Sequence, residues 1–239
     1  MDQLAKINQQ IDLSEAMKTL GKLDERQLAG LMKMLKTKRH KSQSDLPPID
    51  GDFYNLDYKL TKEQRELQMK VRHLMEDEIR PLVNDHWNRA KFPFEIIEKF
   101  KKLNIAGIPY EGYGCPNLPF LMEGIIAQEI ARVDVSTSTF FGVHSGLAMG
   151  SIYLCGSEEQ KQKWLPQMQK LEKIGAFGLT EPNVGSGVAG GLETTCKFDG
   201  ENWILNGQKK WIGNATFADV TIIWARDEDS NQVKGFLVE

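Results

Sequence analysis

The sequence predicts an α+β protein: an all-α helical domain followed by an antiparallel β domain. Two observations carry this. Apolar residues recur at helical spacing from about Thr61 to Leu165, and beyond Ile174 they alternate or run in short β-branched stretches bounded by Asp-Gly and Asn-Gly pairs. A third observation bounds the class. The chain has 239 residues, 41% hydrophobic and 26% charged, with a formal net charge of −3, as in an ordinary globular protein. That charge, with a pI near 5.9, argues against a nucleic-acid-binding surface. No apolar run approaches the roughly 20 residues of a transmembrane segment.

The first stretch, residues 1–52, reads as a helical and basic extension with a linker. Leu13, Met17, Leu20 and Leu23 share helical spacing, as do Leu28, Leu31, Met32 and Leu35. Lys33, Lys36, Lys38, Arg39 and Lys41 add a basic run, and Pro47-Pro48 marks the linker. A solvated helical extension accounts for this pattern, and a docking helix for a partner or an anionic membrane surface is the functional alternative. The start lacks the apolar core of a secretory signal, and Asp2, Asp12 and Glu15 fall where transit peptides avoid acids.

Residues 53–173 are expected to form the helical domain. Thr61 and Gln64 have the spacing of a capping box ahead of Leu67, Val71, Leu74, Met75 and Ile79. Pro81 is expected to bend or end that helix. Phe94, Ile97, Phe100 and Leu103 predict a second helix, and residues 109–119, with their prolines, glycines and two tyrosines, an irregular loop. Leu121, Ile125, Ile126 and Ile130 predict a third helix, and residues 138–155, rich in Gly, Ser and Ala, a fourth. Ser157 and Gln160 cap a fifth before Trp164 and Leu165.

Residues 174–239 are expected to begin the β domain. Thr194, Cys196 and Phe198 alternate with Thr195 and Lys197. Asp199-Gly200 and Asn206-Gly207 are hairpin signals. Val220–Ala225 and Gly235–Val238 read as strands around a polar turn from Asp227 to Gln232.

Two stretches carry the chemistry. The first is Phe177-Gly-Leu-Thr-Glu-Pro-Asn-Val-Gly-Ser186. It supplies a threonine hydroxyl, a rigid Glu-Pro turn and, at Gly185 and Ser186, a turn whose N–H groups and hydroxyl suit an anion. The second, Gln208-Lys-Lys-Trp-Ile-Gly-Asn214, reads as a strand end carrying an indole. A flat ring, a hydroxyl and an anion nest together suit a planar cofactor with a pyrophosphate. Gly185 to Gly190 also fits G-x-G-x-x-G, but a dinucleotide fold needs a helix after the glycines. β-type alternation is expected there instead, and Pro182 interrupts the approach.

Leu-Thr-Glu-Pro-x-x-Gly-Ser followed by Asn-Gly-x-Lys-x-Trp-Ile resembles the flavin-binding core of the acyl-CoA dehydrogenase and acyl-CoA oxidase family. The resemblance runs from about Leu56 to Glu239 and includes Gly112-Tyr-Gly-Cys-Pro116, Ala131-Arg-Val-Asp134 and Gly156-Ser-Glu-Glu-Gln-Lys161. The short-chain peroxisomal oxidases and glutaryl-CoA dehydrogenase-like enzymes are the nearest subgroups. It implies a barrel-like β domain cut short before a C-terminal four-helix domain, FAD as cofactor, and α,β-desaturation of an acyl-CoA thioester. The electron acceptor would be an electron-transfer flavoprotein or oxygen, and the intact protein a homo-oligomer. The family works in the bacterial cytoplasm, the mitochondrial matrix or the peroxisome.

The resemblance also assigns roles. Thr180 would donate its hydroxyl toward the flavin N5 edge, and Trp211 would lie against the ring. Phe177, Gly178, Leu179, Ile212 and Gly213 would line the ring, Gly185 and Ser186 would approach the cofactor, and Ser186 would also touch the CoA part of the substrate. The family's catalytic glutamate is expected beyond residue 239, so no base is assigned and the isolated chain is expected to be inactive. A non-catalytic remnant that binds a partner, flavin or CoA is the alternative.

Two departures stand out. Gly187 replaces the Asp that usually follows Gly-Ser. Ser138 stands where glutaryl-CoA dehydrogenases carry an arginine, which favours a short monocarboxylic acyl group. Glu181 reads as a structural turn residue rather than a base. His73, His86 and His144 have no metal-ligand spacing. Cys115, Cys155 and Cys196 are scattered and odd in number, and read as buried or tolerated thiols of a reducing compartment.

Overall fold

The computed structural model describes Asp24 and residues 56–239. The expected amino-terminal helices, the basic run and the Pro47-Pro48 linker lie outside the described residues.

Helix α1 spans Lys62–His73. The capping box forms as expected: Gln64 N donates to Thr61 Oγ1 at 3.3 Å, and Thr61 N to Gln64 Oε1 at 3.0 Å. The helix does not end near Pro81. It widens into a π-helical segment, Leu74–Ile79, and continues as α2, Arg80–Asn88. Arg80 N donates to Met75 O, five residues back. The wider turn spares the ring of Pro81 the usual clash with the carbonyl four residues behind, so the chain passes the proline without breaking.

Helix α3 is Glu95–Lys101, and its buried residues are Ile96 and Phe100. Phe94 instead packs by its edge on Phe92 and Phe217. Helix α4, Phe120–Ala131, buries Met122, Ile125, Ile126, Glu129 and Ile130. Then α5, Val135–Phe141, a π segment, Gly142–Ala148, and α6, Met149–Cys155, follow without interruption. Helix α7, Glu158–Gln169, carries the Ser157/Gln160 capping box. The shared core includes Met75, Phe100, Ile126, Met149 and Leu165, each essentially inaccessible. One small-residue site in α6 has a specific use. A Cβ at Gly150 would lie 2.7 Å from the Tyr110 hydroxyl oxygen, so the loop packs there only against glycine.

The strands are β1, Gly175–Gly178; β2, Thr195–Phe198; β3, Trp203–Asn206; β4, Val220–Asp227; and β5, Val233–Val238. The sheet is open and mixed. Among the described residues, antiparallel pairing is confined to β2 with β3 and β4 with β5, whereas β1 and β2 both run parallel to β4. Strand β5 occupies one edge of β4. Strands β1 and β2 follow each other along the other edge, β1 against Val220–Ile223 and β2 against Arg226–Asp227. The chain therefore leaves the sheet after Gly178 and rejoins the same edge of β4 at Thr195. That excursion holds the Thr-Glu-Pro and Gly-Ser residues.

Asp199-Gly200 turns the β2–β3 hairpin as expected, with Gly200 at φ +110°. Asn206-Gly207 does not make a hairpin, because residues 207–219 contain no strand. A helical turn, α8, Val188–Gly191, begins inside the glycine run. The expectation of immediate β alternation was wrong there. The turn ends after four residues, and six separate β1 from Gly185, so no strand–turn–helix dinucleotide unit forms.

His144 ties the helical layer to the sheet. Gly175 N donates to Nδ1 at 3.0 Å, which leaves the proton on Nε2, donated to Met168 O at 2.9 Å. Complete burial lowers its pKa to about 4, although the Met168 carbonyl and Asp219 pull the other way. The unfolded chain takes up a proton near pH 6.5 that the folded chain refuses. Stability is therefore full above about pH 6.5 and falls as the pH drops toward 4, by about 3 kcal/mol from this residue. Urea unfolding at pH 7.5 and pH 4.5 should show that loss, and His144→Gln should remove most of the difference.

Candidate flavin site

The excursion after β1 is fastened to the loop that follows Gly207. Lys210 N donates to Thr180 O at 2.8 Å. Lys209 Nζ donates to Leu179 O at 3.1 Å and to Glu181 Oε1 at 2.7 Å. Glu181 also accepts from Glu193 N at 2.6 Å and Thr194 N at 2.9 Å, so one carboxylate pins both ends of the excursion. The side chains of Lys209 and Glu181 are 8% and 1% exposed. Burial by itself would raise the Glu181 pKa. The Lys209 ammonium and the N–H donors outweigh it and hold the group down at about 2. Glu181 is a structural turn residue, and its buried cationic partner had no signature in the sequence.

Asn214 closes the same loop by donating to Phe140 O and Gly175 O, both at 3.1 Å. Between these anchors Trp211 is held at φ +58°, a conformation uncommon for a side chain of this size. Its indole is 82% exposed, with Lys210 Nζ 4.4 Å from the ring centre. It does not end a strand; it projects from an irregular loop. A bulky residue held in a strained conformation by the backbone around it, presenting a flat face outward, is a common feature of binding sites.

The predicted residues divide into two groups. Phe177 and Gly178 end β1, and Leu179 and Thr180 follow them, directly bonded to the loop that carries Trp211, Ile212 and Gly213. Gly185 and Ser186 lie farther along the excursion, exposed, and a Cβ at Gly185 would meet nothing within 4 Å. Among the described residues, no hydrogen bond joins Ser186 to either stretch. The arrangement fits a flavin: an open indole face and a threonine at the strand end for the ring, and unobstructed Gly-Ser backbone for the phosphates. Among the described residues no group of three metal-ligating side chains occurs, and no helix is long and apolar enough to cross a membrane.

Beside this site is a cleft of about 600 Å³. Its sheet wall is Phe177 of β1 and Trp224 of β4, ring centres 6.1 Å apart. Its helical walls carry Phe120 and Glu123 of α4 and Leu147 and Leu154. The sequence offered one hint of the cleft, an acid at position 123 in an otherwise apolar helix start.

The acyl-CoA dehydrogenase N-terminal domain matches residues 61–188, and the acyl-CoA dehydrogenase middle domain matches residues 176–239. The chain belongs to the acyl-CoA dehydrogenase family. The short-chain specific acyl-CoA dehydrogenase of Clostridium acetobutylicum is 34% identical over 188 residues, 77% of this chain and 49% of the relative. The mitochondrial isovaleryl-CoA dehydrogenase of Bos taurus is 33% identical over 205 residues, 84% of this chain and 45% of the relative. A glutaryl-CoA dehydrogenase from Mycobacterium smegmatis, solved in complex with FADH2, superimposes with a TM-score of 0.73 at 37% identity, covering 78% of this chain and 48% of that one. This acyl-CoA dehydrogenase family chain thus spans about half the length of the relatives it matches. Its open sheet edge and exposed Trp211 belong to that half.

Proposed function

We propose that this acyl-CoA dehydrogenase family chain supplies the helical part and the flavin-contacting strands of an FAD-dependent enzyme that desaturates the α,β carbons of a short acyl-CoA thioester. The observation that carries the reading is the Lys209–Glu181 fastening, which brings the Thr180 strand end and the exposed Trp211 face to one site. FAD, when bound, supplies the acceptor for the hydride from the substrate's β carbon. Thr180 would hold the ring through its hydroxyl and steady negative charge there, and Trp211 would shield the ring from water. Gly185 and Ser186 offer N–H groups and a hydroxyl to the phosphates, and Ser186 also to the CoA portion. The cleft walled by Phe177 and Trp224 receives the acyl group beside the flavin strand. The α-proton base is not among these residues. An electron-transfer flavoprotein or oxygen would take the electrons, and the working form would be a homo-oligomer.

The test is the visible spectrum of the chain after gel filtration with FAD. Flavin absorbance should co-elute with monodisperse protein. Thr180→Ala should weaken retention by roughly tenfold, the value of one hydrogen bond to a charge-bearing group, and Trp211→Ala should weaken it at least as much. Retention unchanged in both variants would overturn the site, and no retained flavin in folded wild-type protein would overturn the cofactor reading for this chain.

A further inference from the structure

Among the described residues, Glu123 has no cationic partner. It sits on the wall between the 600 Å³ cleft and a smaller inner pocket of about 60 Å³ that also touches Ser138 and Ser145. Its Oε1 lies over Gly146, where a Cβ would stand 3.4 Å away. The neighbouring hydroxyl is already committed, because Tyr110 donates to Ser145 O at 3.1 Å and to Gly146 O at 3.2 Å. Ser145 Oγ accepts from Gly107 N at 2.8 Å. Among the described residues, no lysine, arginine or histidine lines either cavity. Burial raises the pKa of Glu123 with no compensating group.

An unpaired carboxylate against an apolar wall carries a desolvation cost, and a ligand that displaces the remaining water makes it worse unless it brings a donor. A plain alkyl chain brings none. A second carboxylate would add repulsion between like charges.

We propose that Glu123 selects, within this cleft, acyl groups whose distal end carries a hydrogen-bond donor, a hydroxyl or an ammonium, and rejects those ending in a carboxylate. This rests on the acyl-CoA reading above and adds the class of acyl group. Ser138, which lines the inner pocket without a positive charge, acts in the same direction against a glutaryl end. The donor reaches Glu123 from the cleft side, with the thioester toward Phe177 and the flavin strand.

The experiment is calorimetric binding of three CoA thioesters, of butyrate, 4-hydroxybutyrate and glutarate, to the FAD-loaded chain. The hydroxylated thioester should bind about tenfold or more tighter than butyryl-CoA, as expected for a hydrogen bond to a charged acceptor, and glutaryl-CoA weakest. Glu123→Leu should abolish or invert the first ratio and narrow the second. Glu123→Gln, which preserves shape, should reduce the first ratio severalfold and serves if the leucine variant misfolds. Equal ratios in wild type and variants would overturn the role of Glu123 and leave the acyl-CoA reading standing. No binding of any thioester to flavin-loaded protein would overturn that reading and this inference with it.

Discussion

Lys209→Met is expected to cost about 3–5 kcal/mol, because it strands Glu181 as a buried charge without its cation. For a domain of this size each kcal/mol lowers Tm by roughly 2–4 °C, so calorimetry should show a fall of about 6–20 °C. Two N–H donors from Glu193 and Thr194 remain on the carboxylate and keep the loss from being larger. Flavin retention should fall with it, since Lys209 also holds Leu179 beside the Thr180 strand end. The double variant Lys209→Met, Glu181→Gln should regain part of the loss by removing the orphaned charge. A loss below about 1 kcal/mol in the single variant would place the pair with ordinary surface bridges.

The same pair shapes the acid limb of unfolding. Glu181 has its folded pKa depressed to about 2 from an ordinary 4.5. Its contribution, about 3 kcal/mol, is complete above pH 4.5 and lost as the pH falls from there toward 2. That window lies below the one in which His144 acts, so wild type should lose stability in two stages. Glu181→Gln should shrink the lower one, to which Asp227, held down at about 2 by Ser230 and Lys234, also contributes, and leave the upper one intact.

Glu129→Ala should be comparably costly. Its side chain is fully buried within α4 and accepts both Arg72 Nε at 2.8 Å and Nη2 at 2.6 Å. Gln68 and Arg132 complete its shell at 3.0 and 3.3 Å. The network crosses from α1 to α4, so truncation both opens a cavity and leaves the guanidinium of Arg72, only 12% exposed, without this partner. The expected loss in urea unfolding is about 3–5 kcal/mol. Arg89→Ala, which breaks a bridge to Asp85 whose partners are 63% and 59% exposed, should change stability by less than about 0.5 kcal/mol. Similar losses in the two variants would contradict the ranking by burial.

The helical half was largely legible because its signals are local. Both capping boxes close within four residues, and apolar spacing depends on one helix at a time. Pro81 does not end its helix, because a proline's effect depends on the turn around it, and the π segment that accommodates it has no sequence signature. The burial of Glu129 could have been suspected, since Met122, Ile125 and Glu129 share one helical face. Its partners Gln68 and Arg72, more than fifty residues away, could not.

In the β half, strands and the Asp199-Gly200 turn were readable as short-range patterns, whereas pairing was not. Periodicity says that a strand has two faces. It does not say that β1 and β2 share one edge of β4 and run parallel to it. The order of helices before strands, the helix caps and the two motifs that mark the family are written in local patterns of residues. That Glu181 pins the excursion through Lys209, that Trp211 stands outward from a strained loop, and that, among the described residues, no cation lines the cleft beside Glu123 emerge only when the chain is folded. The difference is one of range. Caps and periodicity come from neighbours along the chain, whereas a buried charge or an open face is set by groups the chain brings back from tens of residues away.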